Sequence, residues 1–249
     1  MKLIFLGTNG WYDTHTGSTI CTLLRSPDMD IILDAGFGIH KTDTYEAGAD
    51  GRPVYLFLSH YHLDQIASLH ILAKFAFTGG LIICIPAGTR SLLNFLIVDP
   101  FTLSIDRLPY PVRVLELPDE RASIPFEVHA EPLRHASLTF GYRLTLDGRI
   151  IADCPDTGYC ENAVRLAKGA DILIAECAYK AGQDGEEWPH LNPETAARIA
   201  SEGNAKRLIM THFDARLYES LEERELSAAI ARLTFPQTIA ATDNLVMEL

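Results

Sequence analysis

The sequence predicts an α/β fold built as a four-layer αββα sandwich, with two facing mixed sheets and helices on their outer sides. Three observations support this class. Short β-type runs separated by turn residues fill the first sixty positions. Helical and strand-like segments alternate after position 160. The order of strands followed by helices occurs twice, and two facing sheets with helices outside would bury the apolar faces of both halves. We therefore expect residues 1–249 to form a single domain.

The first half begins with four predicted strands, because apolar runs there are bounded by Gly, Pro, Asn or Asp. These strands cover residues 2–6, 18–24, 30–34 and 54–58. In residues 65–77 the apolar positions recur at steps of three and four, which predicts a helix packed on this sheet. A strand at 81–85 and a helix at 91–98 complete this half.

The second half begins with four more predicted strands, and Asp147-Gly148 indicates a tight hairpin between the last two. These strands cover residues 112–115, 126–131, 139–146 and 149–153. Asn192 is a strong N-cap, because Pro193 follows it at the first helical position. Helices are predicted at 161–168, 193–202 and 219–233, strands at 172–175 and 208–211, and a closing strand pair at 238–241 and 245–248.

The composition limits the classes of function. The 249 residues carry 21 Lys and Arg against 33 Asp and Glu, a formal net charge of −12. This charge repels long polyanions, so nucleic acid is a disfavoured partner, whereas a metal ion could still attract a small anionic substrate. No apolar run approaches the roughly 20 residues of a membrane span, and the N-terminus lacks a signal-peptide pattern. Five cysteines without a CxxC pair predict reduced thiols in a cytoplasmic protein.

A metal-binding pattern follows the apolar strand at 54–58. His60, His62 and Asp64 occupy alternate positions there, and an extended strand end would point the three side chains the same way. Neutral imidazoles and a carboxylate suit Zn²⁺ and similar divalent ions, but one cluster does not complete a site. The remaining ligands must come from other parts of the chain.

Three further residues of ligand type follow other predicted strands. His135 ends a strand-like segment, Asp156 lies in a turn after a strand, and His212 directly follows residues 208–211. Because α/β folds gather their active sites at the carboxyl ends of strands, these side chains are candidates to meet the first cluster. Taken singly, each of them could also be only a turn or core residue.

The order of these residues resembles the metallo-β-lactamase superfamily, and the segments around them are most similar to its ribonuclease Z and cyclic phosphodiesterase branch. The resemblance runs from residue 3 to residue 248. It implies the metallo-β-lactamase fold and a metal-dependent hydrolase activity. The segments that carry the branch likeness are Phe5-Leu6-Gly7-Thr8, Leu33-Asp34-Ala35-Gly36, Gly141-Tyr142-Arg143, Asp156-Thr157-Gly158-Tyr159 and Ala241-Thr242-Asp243-Asn244-Leu245.

The resemblance also implies one or two divalent metal ions per chain, with zinc expected and manganese or iron as alternatives. The implied ligands are His60, His62 and His135 for the first metal, Asp64 and His212 for the second, and Asp156 as the bridge between them.

The chain departs from the family pattern at two places. The family normally has a histidine directly after the aspartate, and here that residue is Gln65. Because glutamine offers only a neutral amide oxygen, we expect the second site to be weakened, metal-selective or empty. His190 matches a histidine that contacts the substrate phosphate in the phosphodiesterase branch, but Leu191-Asn192 replaces the small hydroxylated residues that follow it there.

Two other residues are assigned supporting roles. Asp34 ends a buried strand and is expected to brace the histidine ligands through hydrogen bonds. Cys154 lies two residues before Asp156, and we expect a packed thiol there rather than a ligand.

The resulting hypothesis is a metal-dependent hydrolase, specifically a phosphodiesterase for a small phosphodiester such as a cyclic nucleotide or a phosphorylated metabolite. A metal-bound water, with its pKa lowered from near 16 to about 7, would attack as hydroxide. Asp64 or Asp156 would orient this water, and His190 would protonate the leaving group.

Three alternatives remain open: transfer RNA 3′ processing, lactone or thioester hydrolysis, and a non-catalytic metal- or ligand-binding module. Ribonucleases Z of the similar branch carry a long basic arm between the third histidine motif and the bridging aspartate. Only a strand hairpin fits between His135 and Asp156 here, which favours the small substrate. A homodimer is one possible assembly.

Overall fold

The computed structural model describes residues 1–249. The chain contains fifteen strands and five α-helices. Thirteen of the strands and the five helical segments occur in the order that the sequence predicts, with most bounds within two residues of the expectation. The two-residue strands Asn9–Gly10 and Phe213–Asp214 are not predicted. The strands are β1 (Lys2–Gly7), β2 (Asn9–Gly10), β3 (Cys21–Arg25), β4 (Asp30–Leu33), β5 (Val54–Phe57), β6 (Leu81–Pro86), β7 (Val112–Leu117), β8 (Glu127–Pro132), β9 (Phe140–Leu146), β10 (Arg149–Cys154), β11 (Ile172–Glu176), β12 (Leu208–Thr211), β13 (Phe213–Asp214), β14 (Thr238–Ala240) and β15 (Leu245–Glu248). The α-helices are α1 (Leu63–Ile66), α2 (Arg90–Leu96), α3 (Glu161–Ala167), α4 (Pro193–Glu202) and α5 (Leu221–Arg232).

The strands form two large mixed sheets. The first has the order β15-β1-β3-β4-β5-β6-β7 and the second the order β14-β12-β11-β10-β9-β8. The short strands β2 and β13 form a separate parallel pair. Within the first sheet β4, β5 and β6 run parallel, and within the second β10, β11 and β12 do so. The carboxyl ends of β5, β10 and β12 lead into the segments that carry His60, His62, Asp64, Asp156 and His212, whereas His135 follows the antiparallel strand β8.

Three apolar layers show how the sheets and helices stack. Successive residues of β1 alternate, so Leu3 and Phe5 pack between the two sheets while Ile4 and Leu6 pack against the helical segments outside the first sheet. A third cluster joins the outer face of the second sheet to α3, α4 and α5. This arrangement confirms the predicted αββα sandwich. The assignment of all 249 residues to one domain stays a prediction.

The two closing strands are present where the sequence predicts them, but the prediction that they pair with each other is wrong. β14 pairs with β12 in the second sheet, and β15 pairs with β1 in the first. The turn between them crosses from one sheet to the other because the Asp243 carboxylate is fixed there. It accepts hydrogen bonds from the Thr8 hydroxyl at 2.7 Å, the Ser18 backbone N–H at 2.8 Å and the Lys41 ammonium at 2.6 Å.

The helix predicted at 65–77 is only partly α-helical. α1 ends at Ile66, and Ala67–Lys74 continues as a 3₁₀ helix. The Gln65 carbonyl accepts a hydrogen bond from the Ala35 N–H at 2.7 Å, and the Ser68 N–H donates to the Ala35 carbonyl at 3.0 Å. These bonds to the loop after β4 use backbone groups that a continuous α-helix would need.

Other local predictions are confirmed. Asn192 caps α4 through a reciprocal pair of bonds with Thr195. All five cysteines are free thiols, and four of them are buried. None of the helices is long and apolar enough to cross a membrane.

The inter-sheet layer should supply much of the folding free energy. Leu144 of β9 is fully buried in that layer, so Leu144→Ala should lower the free energy of unfolding by about 2–5 kcal/mol. The exposed Leu226 of α5 offers a matched truncation, and Leu226→Ala should change stability by less than about 0.5 kcal/mol. Urea unfolding of both variants measures the difference, and equal losses would contradict the layer assignment.

Candidate metal centre

Three imidazole nitrogens and a carboxylate oxygen converge at one end of the sandwich. His60 Nε2 lies 2.9 Å from His62 Nδ1, and His135 Nε2 lies 3.2 Å from the same atom. Asp156 Oδ2 is 3.8 Å from His60 Nε2 and 3.7 Å from His135 Nε2. A tetrahedral zinc ion, bound 2.0–2.2 Å from each ligand atom, separates those atoms by about 3.3–3.6 Å. The observed spacings bracket this range, so the residues fit a zinc-like ion.

The outer nitrogens of two of these histidines are held by protein acceptors. Ser59 Oγ lies 2.9 Å from His60 Nδ1 and donates to Asp34 Oδ2 at 2.8 Å, so Asp34 braces His60 through the serine hydroxyl. The Pro189 carbonyl lies 3.2 Å from His135 Nδ1. Such bonds fix which ring nitrogen faces the metal position. The predicted bracing role of Asp34 thus acts through one intervening residue.

All three imidazoles favour the neutral form that a metal ligand requires. Burial lowers the pKa of His60 well below its usual value, with neighbouring imidazoles adding to the effect. Burial also lowers the pKa of His62 and brings that of His135 to about 4. Metal binding at this cluster therefore displaces no protons from the three rings at neutral pH.

A second cluster shares Asp156 with the first. His212 Nε2 lies 3.1 Å from Asp64 Oδ2 and 3.1 Å from Asp156 Oδ1. The Gln65 amide enters the same space, with its Nε2 atom 3.2 Å from Asp156 Oδ1 and 3.0 Å from His212 Nε2. Gln65 Oε1 is buried and has no hydrogen-bond partner. Rotating the amide by 180° would turn this oxygen toward the cluster as a ligand.

Without a cation, a proton on His212 balances the carboxylates of the second cluster. Burial alone would lower the pKa of His212, but Asp156 and Asp64 raise it to about 10. Burial would raise the pKa of Asp64, but the His212 hydrogen bond and the Trp11 N–H lower it. A metal ion at this position must therefore release the His212 proton, which weakens its net binding.

Buried negative charge is concentrated beneath both clusters. Burial, followed by the Asp156 charge, raises the pKa of Asp153 to about 7. Burial raises the pKa of Asp156 to about 6, although His212 and His190 oppose the shift. Burial and Asp153 also raise the pKa of Asp34. Several carboxyl groups thus lie where a divalent cation would stabilise their ionised forms.

His190 is held by a buried carboxylate that the sequence analysis missed. Its Nδ1 lies 2.6 Å from Oε1 of Glu176, the last residue of β11. Glu176 also accepts backbone N–H bonds from Thr157 at 2.9 Å and Ala178 at 2.8 Å. Burial opposes protonation of His190, but Glu176 outweighs it and raises the His190 pKa. Glu176 at the end of an otherwise apolar strand was the available sequence signal.

The structure places the other predicted site residues as follows. β5 ends at Phe57, so His60 and His62 lie in a loop and Asp64 lies in α1, which corrects the expectation of an extended strand end. The loop and the helix turn bring the three side chains together. Cys154 is directed away from the ligands, with its Sγ atom 3.9 Å from the Ala163 carbonyl of α3, as expected for a packed thiol.

The His212 backbone is set by its surroundings. Its φ of 52° lies in the left-handed region, which non-glycine residues seldom adopt. Gly10 passes so close to the ring that a Cβ atom there would lie 2.6 Å from His212 Cε1. The pairing of β2 with β13 holds the two segments together, so a side chain at position 10 would displace this ligand.

A pocket of about 810 Å³ opens onto both clusters. His62, Asp64, Asp156, His190 and His212 line its floor and walls. Its size lies within the range of small-molecule sites.

The chain is similar to known proteins over most of its length. Residues 30–213 match the family model described as the beta-lactamase superfamily domain. Ribonuclease Z of Bacillus cereus (strain G9842) is 26% identical, with 98% of this chain and 97% of that protein covered. That alignment spans 302 positions, so the ribonuclease carries residues without a counterpart among the 249 here.

Two solved structures share the fold over the whole chain. The metallo-beta-lactamase fold protein YhfI from Bacillus subtilis superposes with a TM-score of 0.82 at 23% identity, covering 100% of this chain and 98% of that one. The short form of human tRNase Z gives a TM-score of 0.75 at 23% identity, covering 100% and 99%.

Gln65 should make the second cluster the weaker metal site. We expect Gln65→His to raise the zinc affinity of that cluster by at least about tenfold, because an imidazole replaces a neutral amide. Zinc per chain, measured by elemental analysis after dialysis against a chelator-buffered zinc series, reports the change. His129→Gln, at an exposed histidine that pairs with Glu127 and belongs to neither cluster, serves as the control. Identical zinc titrations for the Gln65→His variant and the parent would contradict this account.

Proposed function

The chain belongs to the beta-lactamase superfamily, a family of metal-dependent hydrolases, and on that premise we propose that it is a phosphodiesterase for a small phosphodiester. One observation carries the choice of reaction. His190, whose pKa Glu176 raises, lies in one cluster with Asp156 and His212, with candidate ligand atoms within 4.8 Å of one another. A proton donor beside the metal position is what an alkoxide leaving group requires.

The metal ligands follow from the two clusters. We assign His60, His62, His135 and Asp156 to the first metal, and zinc is the ion that this donor set favours. We assign Asp64, Asp156, His212 and the Gln65 amide oxygen to a weaker second site, whose additional oxygen donors also suit manganese. A bound metal supplies a nucleophilic water at neutral pH and polarises the scissile phosphoryl oxygen.

The protein's own groups orient the reactants. Asp64 Oδ2 accepts the Trp11 N–H at 2.7 Å and lies 3.1 Å from His212 Nε2. Both contacts fall on Oδ2, which leaves Oδ1 to accept a hydrogen bond from the attacking water. Asp156, with oxygens facing both clusters, fixes the distance between them.

His190 acts at the opposite side of the scissile bond. Its Nδ1–H donates to Glu176, so Nε2–H remains to protonate the leaving oxygen. The buried Glu176 stabilises the imidazolium before proton transfer. Two backbone N–H groups donate to Glu176 and hold it in place, so Glu176 keeps the His190 ring oriented.

A small anionic substrate suits the pocket better than RNA. The net charge of −12 opposes long-range attraction of a polyanion. Only the β9–β10 hairpin and its flanking loops lie between His135 and Asp156, where an RNA-gripping arm would be inserted. Transfer RNA processing is the second candidate, favoured by the likeness to ribonuclease Z. Cleavage of a precursor transfer RNA faster than of small diesters would support that candidate over ours.

Two other candidate functions predict different results in the same assays. A lactone or thioester hydrolase would cleave esters and leave phosphodiesters intact. A non-catalytic binding module would bind metal and turn over neither substrate class.

Loss of a ligand of the first metal should abolish diester cleavage. His60 is fully buried among the ligands, so His60→Ala should reduce the hydrolysis of bis(p-nitrophenyl) phosphate by at least about 100-fold, more than the usual loss for an outer hydrogen-bond partner. His129→Ala removes an exposed imidazole and should retain the parent rate. Unchanged turnover in His60→Ala would refute the metal assignment.

The Glu176–His190 pair should set the alkaline limit of activity. Because Glu176 raises the His190 pKa, the acid form of His190 persists to higher pH and is lost as pH rises through that raised value. Glu176→Gln removes the charge, so the alkaline limb of kcat should move to lower pH by about 1 unit or more. The pH profile of kcat measures the shift, with Glu202→Gln, at the exposed last residue of α4, as the control. An unmoved limb would exclude His190 as the proton donor.

A further inference from the structure

The chain has only two tryptophans, and both line the pocket above the metal clusters. Trp11 is 56% exposed and Trp188 is 50% exposed. An exposed indole leaves a large apolar surface in contact with water, which folding alone does not favour. Their placement at the same pocket indicates a surface that a ligand covers.

Trp11 is fixed in a strained conformation beside a metal ligand. Its φ of 74° lies in the left-handed region, which is rare for a bulky residue. The backbone N–H of Trp11 donates to Asp64 Oδ2 at 2.7 Å. The Arg216 guanidinium lies 3.8 Å from the centre of the indole ring and is itself paired with Asp214 at 2.8 Å. Strain of this kind persists where surrounding contacts hold it, often at ligand sites.

Trp188 is fixed against the first metal cluster. Its ring stacks on His62, with centroids 5.1 Å apart and planes 15° apart. Its carbonyl accepts a hydrogen bond from the Tyr179 hydroxyl at 2.7 Å. Each tryptophan is therefore supported by a protein group on its ring and still keeps about half of its surface exposed.

Charge does not provide recognition at this part of the pocket. Asp184, Glu186 and Glu187 are exposed in the segment directly before Trp188. The nearby Arg216 is neutralised by Asp214. Stacking on the two indoles is then a source of affinity for the part of the substrate that extends beyond the phosphate.

We propose that Trp11 and Trp188 form a subsite for a planar heteroaromatic ring on the substrate, so the preferred diester is nucleotide-like rather than a phosphorylated sugar or a dialkyl diester. This inference rests on the proposed phosphodiesterase function and deepens it. The two residues act in specificity, and neither takes part in the bond cleavage.

Intrinsic fluorescence tests the proposal directly, because the only two tryptophans lie at the subsite. The probes are AMP and ribose 5-phosphate, which share the phosphate and the sugar but differ in the ring. With the zinc-loaded protein, AMP should quench the fluorescence and bind at least about tenfold more tightly than ribose 5-phosphate, whose affinity is measured by competition against AMP. That ratio corresponds to about 1.4 kcal/mol and lies within the range of base–aromatic stacking.

Single variants locate the ring preference. Trp11→Leu and Trp188→Leu each retain one fluorophore and should lower AMP affinity toward that of ribose 5-phosphate, while ribose 5-phosphate binding stays unchanged. Trp188→Phe keeps a ring against His62 and should recover part of the preference. Phe95→Leu, at a 64% exposed aromatic on α2, should have no effect. Zinc content per chain shows whether Trp188→Leu disturbs the His62 ligand. If it does, the AMP affinity of Trp11→Leu alone decides whether the subsite exists.

The outcomes separate this inference from the function on which it rests. Equal affinities for the two probes, or an AMP affinity unaffected by Trp11→Leu, would overturn the subsite even if diesters are cleaved. A tryptophan-dependent preference for AMP without cleavage of any diester would support the subsite and refute the phosphodiesterase proposal.

Discussion

The burial of negative charge around Asp156 is the constraint on which the rest of this end of the molecule depends. Asp156 is nearly inaccessible to solvent, and its two oxygens face two different clusters of ligand-type side chains. Besides burial, the charge of Asp153 raises the pKa of Asp34, and the charge of Asp156 raises the pKa of Asp153. Removing several carboxylates from water is costly unless cations compensate them. Neutral imidazoles lie on one side of Asp156 and the protonated His212 on the other. A divalent ion bound there would stabilise the buried carboxylates.

The layers of the fold could be predicted largely from local patterns, because apolar strands bounded by turn residues specify them. The candidate ligands came from the resemblance to the metallo-β-lactamase superfamily, and the structure brings most of them into two clusters. The pairing of β14 and β15 could not be predicted, because the Asp243 contacts that separate them come from residues more than 200 positions away. Glu176 was missed since a single carboxylate has no spacing pattern. The 3₁₀ segment after α1 depends on backbone bonds to Ala35, which no periodicity reveals.

The site combines a strong and a weak half. The first cluster is complete in imidazoles that are already neutral, whereas the second must lose a proton from His212 and accept an amide from Gln65. The proposed function remains compatible with this asymmetry, because it assigns the proton donor to His190, which Glu176 anchors. The proposed subsite at the two tryptophans selects the ring of the substrate. Metal binding, proton donation and ring recognition are thus assigned to different residues.

The location of bound metal tests the central claim most directly. A crystal of the zinc-loaded protein, measured on both sides of the zinc absorption edge, reveals zinc by anomalous scattering. We expect a full-occupancy peak enclosed by His60, His62, His135 and Asp156, and a second peak of lower occupancy beside Asp64 and His212. Zinc only at surface positions, or a stronger peak at the second cluster than at the first, would contradict it.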